Sequence, residues 1–327
     1  MNDAKTLLEV RNLKKYFAVP NGYLHAVDDV SFTIKEGETL GIVGESGCGK
    51  STLGRVILRL HEPTDGKIIY NNMDITEFDK EEMRKMRQHM QIVFQDPYAS
   101  LNPRFTIAQI IEEPLKLHNI YKTEAERRKR VEELMDLVGL AKRMYNMYPH
   151  EFDGGRRQRV VIARALSINP KFVVCDEPVS ALDVSVQAQI LNLMMDLQEK
   201  LGLTYIFISH DLSVIKHISD NIGVMYLGQM IEKAPKQDIF KNPLHPYTVA
   251  LLSAIPSTNV REKKKKIILK GEISSPINPK EGCRFSPRCP FACDICHQKT
   301  PVLQEVQPNH FVACHRYQEM MENKLHF

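Results

Sequence analysis

The sequence lacks the features of membrane-spanning, secreted and nucleic-acid-binding chains. No stretch reaches the roughly 18 apolar residues that a membrane helix needs, and the N-terminal residues MNDAKTLLEVRNLKK contain no apolar segment suited to a signal peptide. The formal net charge is only +4, from 44 basic and 40 acidic residues, which does not favour a nucleic-acid partner. We therefore expect a protein that is made and kept in the cytoplasm.

The composition is typical of a globular protein with a buried core, since 43% of the 327 residues are hydrophobic and 26% are charged. Beyond about residue 235 proline becomes more frequent, regular periodicity fades and five of the 7 cysteines occur. We predict a large domain at 1–235 and a small domain at 236–327, with no internal repeat. The basic run REKKKK at 261–266 is typical of a solvated linker.

Apolar runs alternate with helical periodicity in the large domain. Buried strands are predicted for TLGIVG at 39–44, KFVVCD at 171–176 and LTYIFIS at 203–209, and helices for 50–60 and 184–201. Strands separated by helices form a parallel sheet with helices packed on it. The predicted fold class is therefore α/β.

The other segments of the large domain extend this prediction. Short segments with period-two alternation within 7–34, and a strand pattern at 66–75, predict an antiparallel β edge. A further buried strand is predicted at 89–96. Helical spacing from 106 to 149, followed by a helix at 156–167, predicts a helical subdomain at about 100–165.

The segment GESGCGKS at 44–51 fits the pattern Gly-x4-Gly-Lys-Ser/Thr throughout and lies between a predicted strand and a predicted helix. Its glycines allow a tight turn in which N–H groups converge on phosphate oxygens, and the helix N-terminus adds partial positive charge. We expect Lys50 to reach the β and γ phosphates of a nucleotide and Ser51 to hold Mg²⁺. Cys48 is interpreted as a spectator within this loop. The predicted phosphate-binding residues are Gly44, Glu45, Ser46, Gly47, Cys48, Gly49, Lys50, Ser51 and Thr52.

The segment FVVCDEP at 172–178 places two acids after four apolar residues. A carboxylate at the end of a buried strand is costly without a cation, so we expect Asp176 to hold Mg²⁺. Glu177 is then placed to orient the attacking water or to accept its proton. An acidic pair at a strand end can also be a plain turn, but the complete phosphate loop favours the functional interpretation.

Together with these two motifs, four others make residues 7 to about 235 resemble the ATP-binding cassette of ABC transporters. They are FQDP with Gln95 as the Q-loop, GGRRQRVVIARAL as the signature helix, and SALD with Asp183 as the D-loop; SHD then supplies His210 as the switch histidine. The resemblance implies an ABC-type P-loop ATPase that uses ATP and Mg²⁺, with Lys50, Glu177 and His210 in catalysis. His210 is expected to bond the γ phosphate or to fix Glu177.

Two cassettes of this family close head to tail, so that the signature of one covers the ATP held by the other. The resemblance therefore implies a dimer, with Asp153, Gly154, Gly155, Arg156 and Asp183 at its interface.

A narrower resemblance is to the ATPase subunits of oligopeptide and dipeptide importers, which also include importers of nickel and oligosaccharides. It is carried by QDPYASLNPRFTIAQIIEEPL at 95–115, DEPVSALDVSVQAQILNL at 176–193 and NPLHPYTVALLSAIP at 242–256. The resemblance implies a second ATPase subunit, expected to be a different chain, two membrane permease subunits and an extracellular or periplasmic substrate-binding protein. It also implies a peripheral location at the cytoplasmic face of the membrane.

Soluble ABC ATPases that act on ribosomes or DNA are the alternative class. The ribosomal kind carries two cassettes in one chain, whereas this sequence has a single phosphate loop, and the DNA kind contains a long coiled coil that is missing here. A subunit that binds nucleotide with little hydrolysis would lack Lys50 or Glu177, and both are present. The sequence therefore favours a transport ATPase.

Adenine needs an aromatic side chain to stack on, and KKYFAV offers Tyr16 and Phe17 upstream of the phosphate loop. Counting back from AVDDVSF favours Phe17. Alternatively, both rings belong to a strand and pack in its core.

The signature of this chain departs from the family pattern, because Asp153 and Arg156 stand where Ser and Gln are usual. Aspartate is an equally good helix N-cap, so we expect the helix to form. A carboxylate near the γ phosphate is unfavourable, although Arg156 can pair with it across three residues. We expect an asymmetric dimer in which this signature covers the weaker site; a homodimer with two working sites is the alternative.

The cysteines of the small domain have the spacing C-x5-C-x6-C-x17-C through Cys283, Cys289, Cys296 and Cys314, with Cys293 left over. Clustered cysteines in a reducing compartment favour a metal site over disulfides. The resemblance to the importer ATPases implies a 4Fe-4S cluster with a structural role, which four thiolates suit. Zinc is the alternative, because Cys293 and Cys296 form a C-x2-C pair; unliganded thiols are a third possibility.

Overall fold

In the computed structural model, described for residues 5–255, 267–269, 271, 275–322 and 324–325, regular structure is mixed α and β. The strands of these residues are β1 (Thr6–Val19), β2 (Gly22–Lys35), β3 (Thr39–Val43), β4 (Asp65–Tyr70), β5 (Met73–Asp74), β6 (Met90–Val93), β7 (Phe172–Asp176), β8 (Thr204–Ile208), β9 (Asn221–Tyr226), β10 (Gln229–Pro235), β11 (Gln304–Gln307) and β12 (His310–Val312). The helices are α1 (Lys50–Ile57), α2 (Lys80–Met86), α3 (Pro97–Ser100), α4 (Ile107–Leu117), α5 (Glu124–Leu137), α6 (Gly154–Leu166), α7 (Val184–Leu201), α8 (Leu212–Ile218), α9 (Lys236–Lys241), α10 (Pro246–Ser253), α11 (Asp294–Gln298) and α12 (Tyr317–Met321). The basic run at 261–266 lies outside the described residues.

The chain forms two compact units, and the first comprises mainly Glu77–Ile208 with Lys35–Glu38. Strands β6, β7 and β8 are parallel neighbours, with Val93 opposite Cys175 and Asp176 opposite Ile208. All residues of β7 and β8 are buried, as expected of strands covered on both faces. Helix α4 packs on both α5 and α6, so the predicted helical segments form one layer of this unit.

The second unit comprises Thr6–Ile34, Thr39–Thr76 and the described residues from Ser209 onward. A four-stranded sheet has the order β2-β1-β4-β5, with β1 antiparallel to β4 and β4 antiparallel to β5. A second sheet pairs β3 in parallel with β9, and then β9, β10, β12 and β11 in antiparallel order. The fully buried β3 leads directly into the glycine-rich loop at 44–49.

Two segments differ from their sequence predictions for local reasons. The segments predicted within 7–34 are two long strands, β1 and β2. The strand predicted over 66–75 is a hairpin, because Asn71 (φ 48°) and Asn72 (φ 65°) adopt left-handed backbone conformations. Two successive residues with positive φ are what a tight hairpin turn requires, and asparagine tolerates them.

No helix in the described part of the chain is long and apolar enough to cross a membrane.

Candidate functional site

The phosphate loop lies in the second unit, between β3 and α1. Gly49 precedes α1 with φ 102°, and a Cβ there would lie 2.0 Å from the carbonyl oxygen of Ala26. Gly47 also has a positive φ, of 78°, but a Cβ on it would have no heavy atom within 4 Å. Glycine is therefore required at 49 by packing and conformation, whereas at 47 conformation alone requires it and the space beside the loop is open.

Lys50 is buried, with 5% of its surface exposed. Its Nζ donates to the carbonyl oxygens of Gly44 at 2.8 Å and Glu45 at 3.0 Å. The ammonium is thus folded back over its own loop, where neutral carbonyl oxygens are its acceptors. Phosphate oxygens carry more negative charge than these acceptors and would bind the ammonium more strongly.

His210 lies at the start of the segment that enters α8 and is exposed. The preceding residue, Ser209, donates its backbone N–H to the carbonyl oxygen of Ile42 at 3.2 Å. Since Ile42 belongs to β3, which runs into the phosphate loop, this bond places His210 in the same unit as the loop and Lys50.

The two aromatic candidates for stacking have different surroundings. The Tyr16 ring is stacked on His25 with centroids 3.8 Å apart, and its hydroxyl donates to Asp28. Burial and the hydrogen bond to Asp28 raise the pKa of Tyr16. Phe17 has no hydroxyl to anchor it, and its ring meets His61 edge-on at 5.6 Å. One face of Tyr16 is therefore covered by the His25 ring, whereas the group over the Phe17 ring is the Lys15 ammonium, 4.9 Å from the ring centroid.

The acidic motif lies in the first unit, where β7 ends. Asp176 is the last residue of this strand and is 1% exposed. Glu177 has φ 48°, and its backbone N–H donates to the carbonyl oxygen of Ile208 at 3.0 Å. The amide Nε2 of Gln95 donates to Glu177 Oε2 at 3.1 Å. The Q-loop and the acidic motif, which lie 82 residues apart, are therefore in direct contact.

The signature segment begins α6 in the same unit. Asp153 accepts a hydrogen bond from the Arg156 backbone N–H at 2.8 Å and thereby caps the helix. The Arg156 Nε lies 3.5 Å from the other carboxylate oxygen, and both side chains are at least half exposed. The cap expected of aspartate is present, and its charge is only loosely paired because an exposed ion pair is weak.

The D-loop also ends in a capping aspartate. Asp183 accepts from the Val186 backbone N–H at 3.0 Å and from the Ser185 hydroxyl at 2.7 Å, so it caps α7. These two hydrogen bonds, with the Ser185 side chain first, lower the pKa of Asp183. A Cβ on Gly155 would lie 2.6 Å from Val186 Cγ1, so the signature helix and α7 begin side by side.

The four cysteines of the predicted metal site lie in the second unit, where neighbouring thiols raise one another's pKa values. Burial, followed by the proximity of Cys283 and Cys296, raises the pKa of Cys289 to about 11. Burial and the nearby Cys283, Cys289 and Cys296 raise the pKa of Cys314 to about 12. Thiols with raised pKa values stay protonated near neutrality, and ionising several of them together requires a cation.

The remaining cysteine of this region, Cys293, lies with its sulfur 3.6 Å from that of Cys296. Throughout the described residues, no group of three or more His, Cys, Asp or Glu side chains is arranged to hold a metal ion. The structure therefore brings the thiols near one another without a metal-binding arrangement.

Contacts between the C-terminal part of the second unit and the phosphate loop were not predicted from the sequence. Arg288 bonds the Glu45 carboxylate through both terminal nitrogens, at 2.7 and 3.0 Å. The Tyr247 hydroxyl accepts from the Glu45 backbone N–H at 3.0 Å. Glu45 and Arg288 lie 243 positions apart, and no local pattern in the sequence signals such a contact.

The predicted site residues thus fall into two sets. The second unit holds the phosphate loop, His210, both aromatic candidates and the cysteines. The first unit holds Gln95, Asp176, Glu177, the signature residues and Asp183.

Comparison with known proteins agrees with the motifs. Residues 27–180 match the family model described as ABC transporter, and residues 231–296 match the model described as oligopeptide/dipeptide transporter, C-terminal region. The fold, the phosphate loop and the Gln95–Glu177 contact define an ABC-type ATPase.

Curated relatives match almost the whole chain. It is 55% identical over 323 residues to the oligopeptide transport ATP-binding protein AppF of Bacillus subtilis (strain 168), covering 96% of this chain and 98% of that protein. It is 52% identical over 314 residues to the dipeptide transport ATP-binding protein DppF of Haemophilus influenzae, covering 94% and 96%. The chain belongs to the family of ATP-binding proteins of oligopeptide and dipeptide ABC transporters.

Solved structures of ABC cassettes share the fold. The ATP-binding cassette MJ0796, described as a dimer in a post-hydrolysis state bound to ADP and Pi, is 32% identical with a TM-score of 0.64, covering 70% of this chain and 99% of that one. CbiO1 from Clostridium perfringens is 29% identical with a TM-score of 0.65, covering 75% and 93%. The predicted α/β ABC cassette is confirmed.

Proposed function

We propose that this chain hydrolyses ATP to drive the uptake of dipeptides or oligopeptides through membrane partner subunits. The observation that carries the proposal is the phosphate loop, in which the buried Lys50 ammonium is held by carbonyl oxygens of its own loop. The peptide substrate is supported by the names of the relatives and by the C-terminal family match. The nickel and oligosaccharide alternatives have no comparable support.

The phosphate loop binds the triphosphate. Its backbone N–H groups and the Lys50 ammonium contact the phosphate oxygens, and the open space beside Gly47 accommodates the ligand. Phe17 stacks on adenine, and His210 bonds the γ phosphate or fixes Glu177. When Mg²⁺ is bound, Ser51 and Asp176 would hold it, and its charge would offset that of the phosphates.

Glu177 performs the proton transfer of hydrolysis. It orients a water molecule and accepts its proton while the water oxygen attacks the γ phosphorus, and the bond from that phosphorus to the β–γ bridging oxygen breaks to release ADP. Gln95 holds the Glu177 carboxylate at 3.1 Å. Because Gln95 belongs to the segment between β6 and α3, movement of that segment is transmitted to the catalytic carboxylate.

The chain acts as a peripheral subunit at the cytoplasmic face of the membrane. Its partners are a second ATPase subunit of a different sequence, two permease subunits and an extracellular or periplasmic substrate-binding protein. The dimeric state described for the similar cassette MJ0796 supports the ATPase pair.

Uptake by the reconstituted complex tests this function. Vesicles that contain the permeases and both ATPase subunits are expected to accumulate a labelled oligopeptide only with ATP and the binding protein. Nickel and an oligosaccharide serve as competing substrates. ATP-driven uptake of either one without peptide uptake would contradict the proposed substrate.

Asp153 makes the two nucleotide sites of the pair unequal. A carboxylate about 4 Å from a phosphate oxygen costs on the order of 4 kcal/mol at an effective dielectric of about 20, before screening. Arg156 offsets part of this cost, but the two side chains are 50% and 60% exposed and 3.5 Å apart. The site covered by this signature is therefore the weaker one.

Replacing Asp153 by serine and Arg156 by glutamine is expected to raise the ATP occluded by the ATPase pair from one to two molecules per dimer. Serine retains the helix cap while removing the charge. Retained nucleotide is measured after rapid gel filtration of pairs that carry glutamine in place of the catalytic glutamate of each subunit. Asp196→Ser, an exposed position on α7, is the control. Two equivalent ATP molecules in a dimer of this chain alone would contradict asymmetry.

We also propose that Cys283, Cys289, Cys296 and Cys314 would hold a structural 4Fe-4S cluster once their side chains rearrange, since no group of the described residues is arranged to hold a metal ion as it stands. The proposal is supported by their mutual influence and by a donor set of four thiols. Bound there, the cluster would cross-link segments of the small domain that are far apart in sequence.

The full chain purified without oxygen is expected to contain iron and acid-labile sulfide, and Cys289→Ser to reduce both to background. Cys293→Ser removes a neighbouring thiol outside the proposed ligand set and is expected to retain the cluster. Iron, zinc and acid-labile sulfide are measured on the same samples. If the samples contain zinc but no sulfide, the four cysteines form a zinc site and not an iron–sulfur cluster. If they contain neither iron nor zinc, the thiols bind no metal.

A further inference from the structure

The small C-terminal domain touches the phosphate loop through Arg288, which immediately precedes Cys289. Its guanidinium forms two parallel hydrogen bonds to the Glu45 carboxylate, at 2.7 and 3.0 Å. The Arg288 side chain is 8% exposed and that of Glu45 25%. A bidentate pair shielded from water in this way fixes both position and orientation, unlike an exposed ion pair.

Glu45 is in turn bonded to the residue that would bind phosphate. Its carbonyl oxygen accepts from Lys50 Nζ at 3.0 Å, and its backbone N–H donates to the Tyr247 hydroxyl at 3.0 Å. The backbone and side chain of one loop residue are therefore held by Lys50, Tyr247 and Arg288. Two of these three holding groups come from the C-terminal part of the chain.

A second arginine of the same segment makes a parallel contact. Arg284 immediately follows Cys283, bonds the Asp28 carboxylate and is 8% exposed. Asp28 also accepts from the Tyr16 hydroxyl and lies 3.0 Å from His25 Nδ1. Burial alone would raise the pKa of Asp28, but hydrogen bonds from Tyr16 and His25 and the charge of Arg284 lower it. The cysteine-bearing segment is thus anchored at the phosphate loop and at β2, whose Asp28 also bonds the aromatic candidate Tyr16.

We propose that Arg288 is a positioning residue for ATP binding, through which the C-terminal domain sets the affinity of the phosphate loop for nucleotide. The inference rests on the proposed role of that loop. Arg288 acts by holding the Glu45 carboxylate and balancing its charge beside the bound triphosphate. Without Arg288, the Glu45 carboxylate is partly buried and uncompensated, and it repels phosphate.

The test measures binding of an ATP analogue with a β–γ imido bridge to the full chain by calorimetry. Arg288→Met is expected to raise its dissociation constant about tenfold or more, because a buried charge loses its partner. Arg288→Met combined with Glu45→Gln is expected to recover binding to within about threefold of the unmodified chain, since the unpaired charge is gone. A purely structural role of Arg288 would give no such recovery.

Arg11→Met is the matched control. Arg11 also makes a bidentate pair with a glutamate, Glu9, at 2.7 and 2.9 Å, but this pair is exposed on β1. Its removal is expected to leave the dissociation constant unchanged. Glu45→Asp, which keeps the charge but shortens the reach to Arg288, is expected to weaken binding even where Arg288→Met does not fold.

The inference would be overturned if the dissociation constant of Arg288→Met stayed within about twofold of that of the unmodified chain; where Arg288→Met does not fold, the same criterion applies to Glu45→Asp. It would also be overturned if the double variant did not recover binding. Failure of the ATPase proposal is distinct. In that case the unmodified chain would bind the analogue no better than Lys50→Ala.

Discussion

Replacing Glu177 by glutamine is expected to abolish ATP hydrolysis while ATP binding persists. Glutamine has nearly the same shape and can still bond Gln95, whose Nε2 lies 3.1 Å from Glu177 Oε2, but it cannot accept the proton of the attacking water. Removal of a general base typically costs about 10²- to 10⁴-fold in rate. Phosphate release by the assembled ATPase pair measures the rate, with the partner's corresponding glutamate also replaced so that only altered sites contribute.

Glu199→Gln provides the control for this loss. Glu199 is exposed on α7 in the same unit, so its amide variant has the same change of charge without the catalytic position. It is expected to hydrolyse ATP at the unmodified rate. Hydrolysis by Glu177→Gln within about tenfold of the unmodified rate would assign proton transfer to another group.

Replacing Lys50 by alanine is expected to remove most of the ATP affinity, raising the dissociation constant by about 100-fold or more. Charge-assisted hydrogen bonds to phosphate are about twice as strong as neutral ones, and the buried ammonium has no substitute in the loop. Stabilisation by ligand measures this directly, because nucleotide at 100 times its dissociation constant adds about 2.7 kcal/mol to the free energy of unfolding.

The change in the free energy of unfolding that ATP causes separates the effect of Lys50→Ala on binding from its effect on folding. Loss of Lys50 also removes bonds to the carbonyl oxygens of Gly44 and Glu45, so the stability of the nucleotide-free protein is expected to fall as well. The comparison is therefore between each variant with and without ATP. Lys200→Ala, at an exposed position near the end of α7, is expected to retain the full shift. An equal shift in Lys50→Ala would exclude the proposed phosphate contact.

Local sequence patterns were sufficient to predict much of this fold. Buried strands such as β7 and β8 have continuous apolar runs, and the conformations of the phosphate loop follow from its glycines. The cap of α6 was also predictable, because aspartate at that position satisfies free N–H groups of a helix terminus. These features depend on neighbours within a few residues, where residue type limits the available conformations.

The contacts of Glu45 and Asp28 with Arg288 and Arg284 could not be predicted in this way. They join residues more than 240 positions apart, and their formation depends on how the C-terminal segment packs within the second unit. Arginines beside cysteines have no local periodicity that would identify their partners. The hairpin at Asn71 was missed for a different reason, since an apolar strand pattern continued across a short turn.

The contact between Gly155 and Val186 makes the start of α6 and the start of α7 a single corner of the first unit. Since a Cβ at 155 would lie only 2.6 Å from Val186 Cγ1, no larger side chain fits there without moving one helix. Asp153 and Asp183 thus cap two helices whose first turns pack directly on each other. We expect displacement of either loop to shift the other, so that residues 153–156 and 183–186 respond together to a ligand or partner that binds one of them.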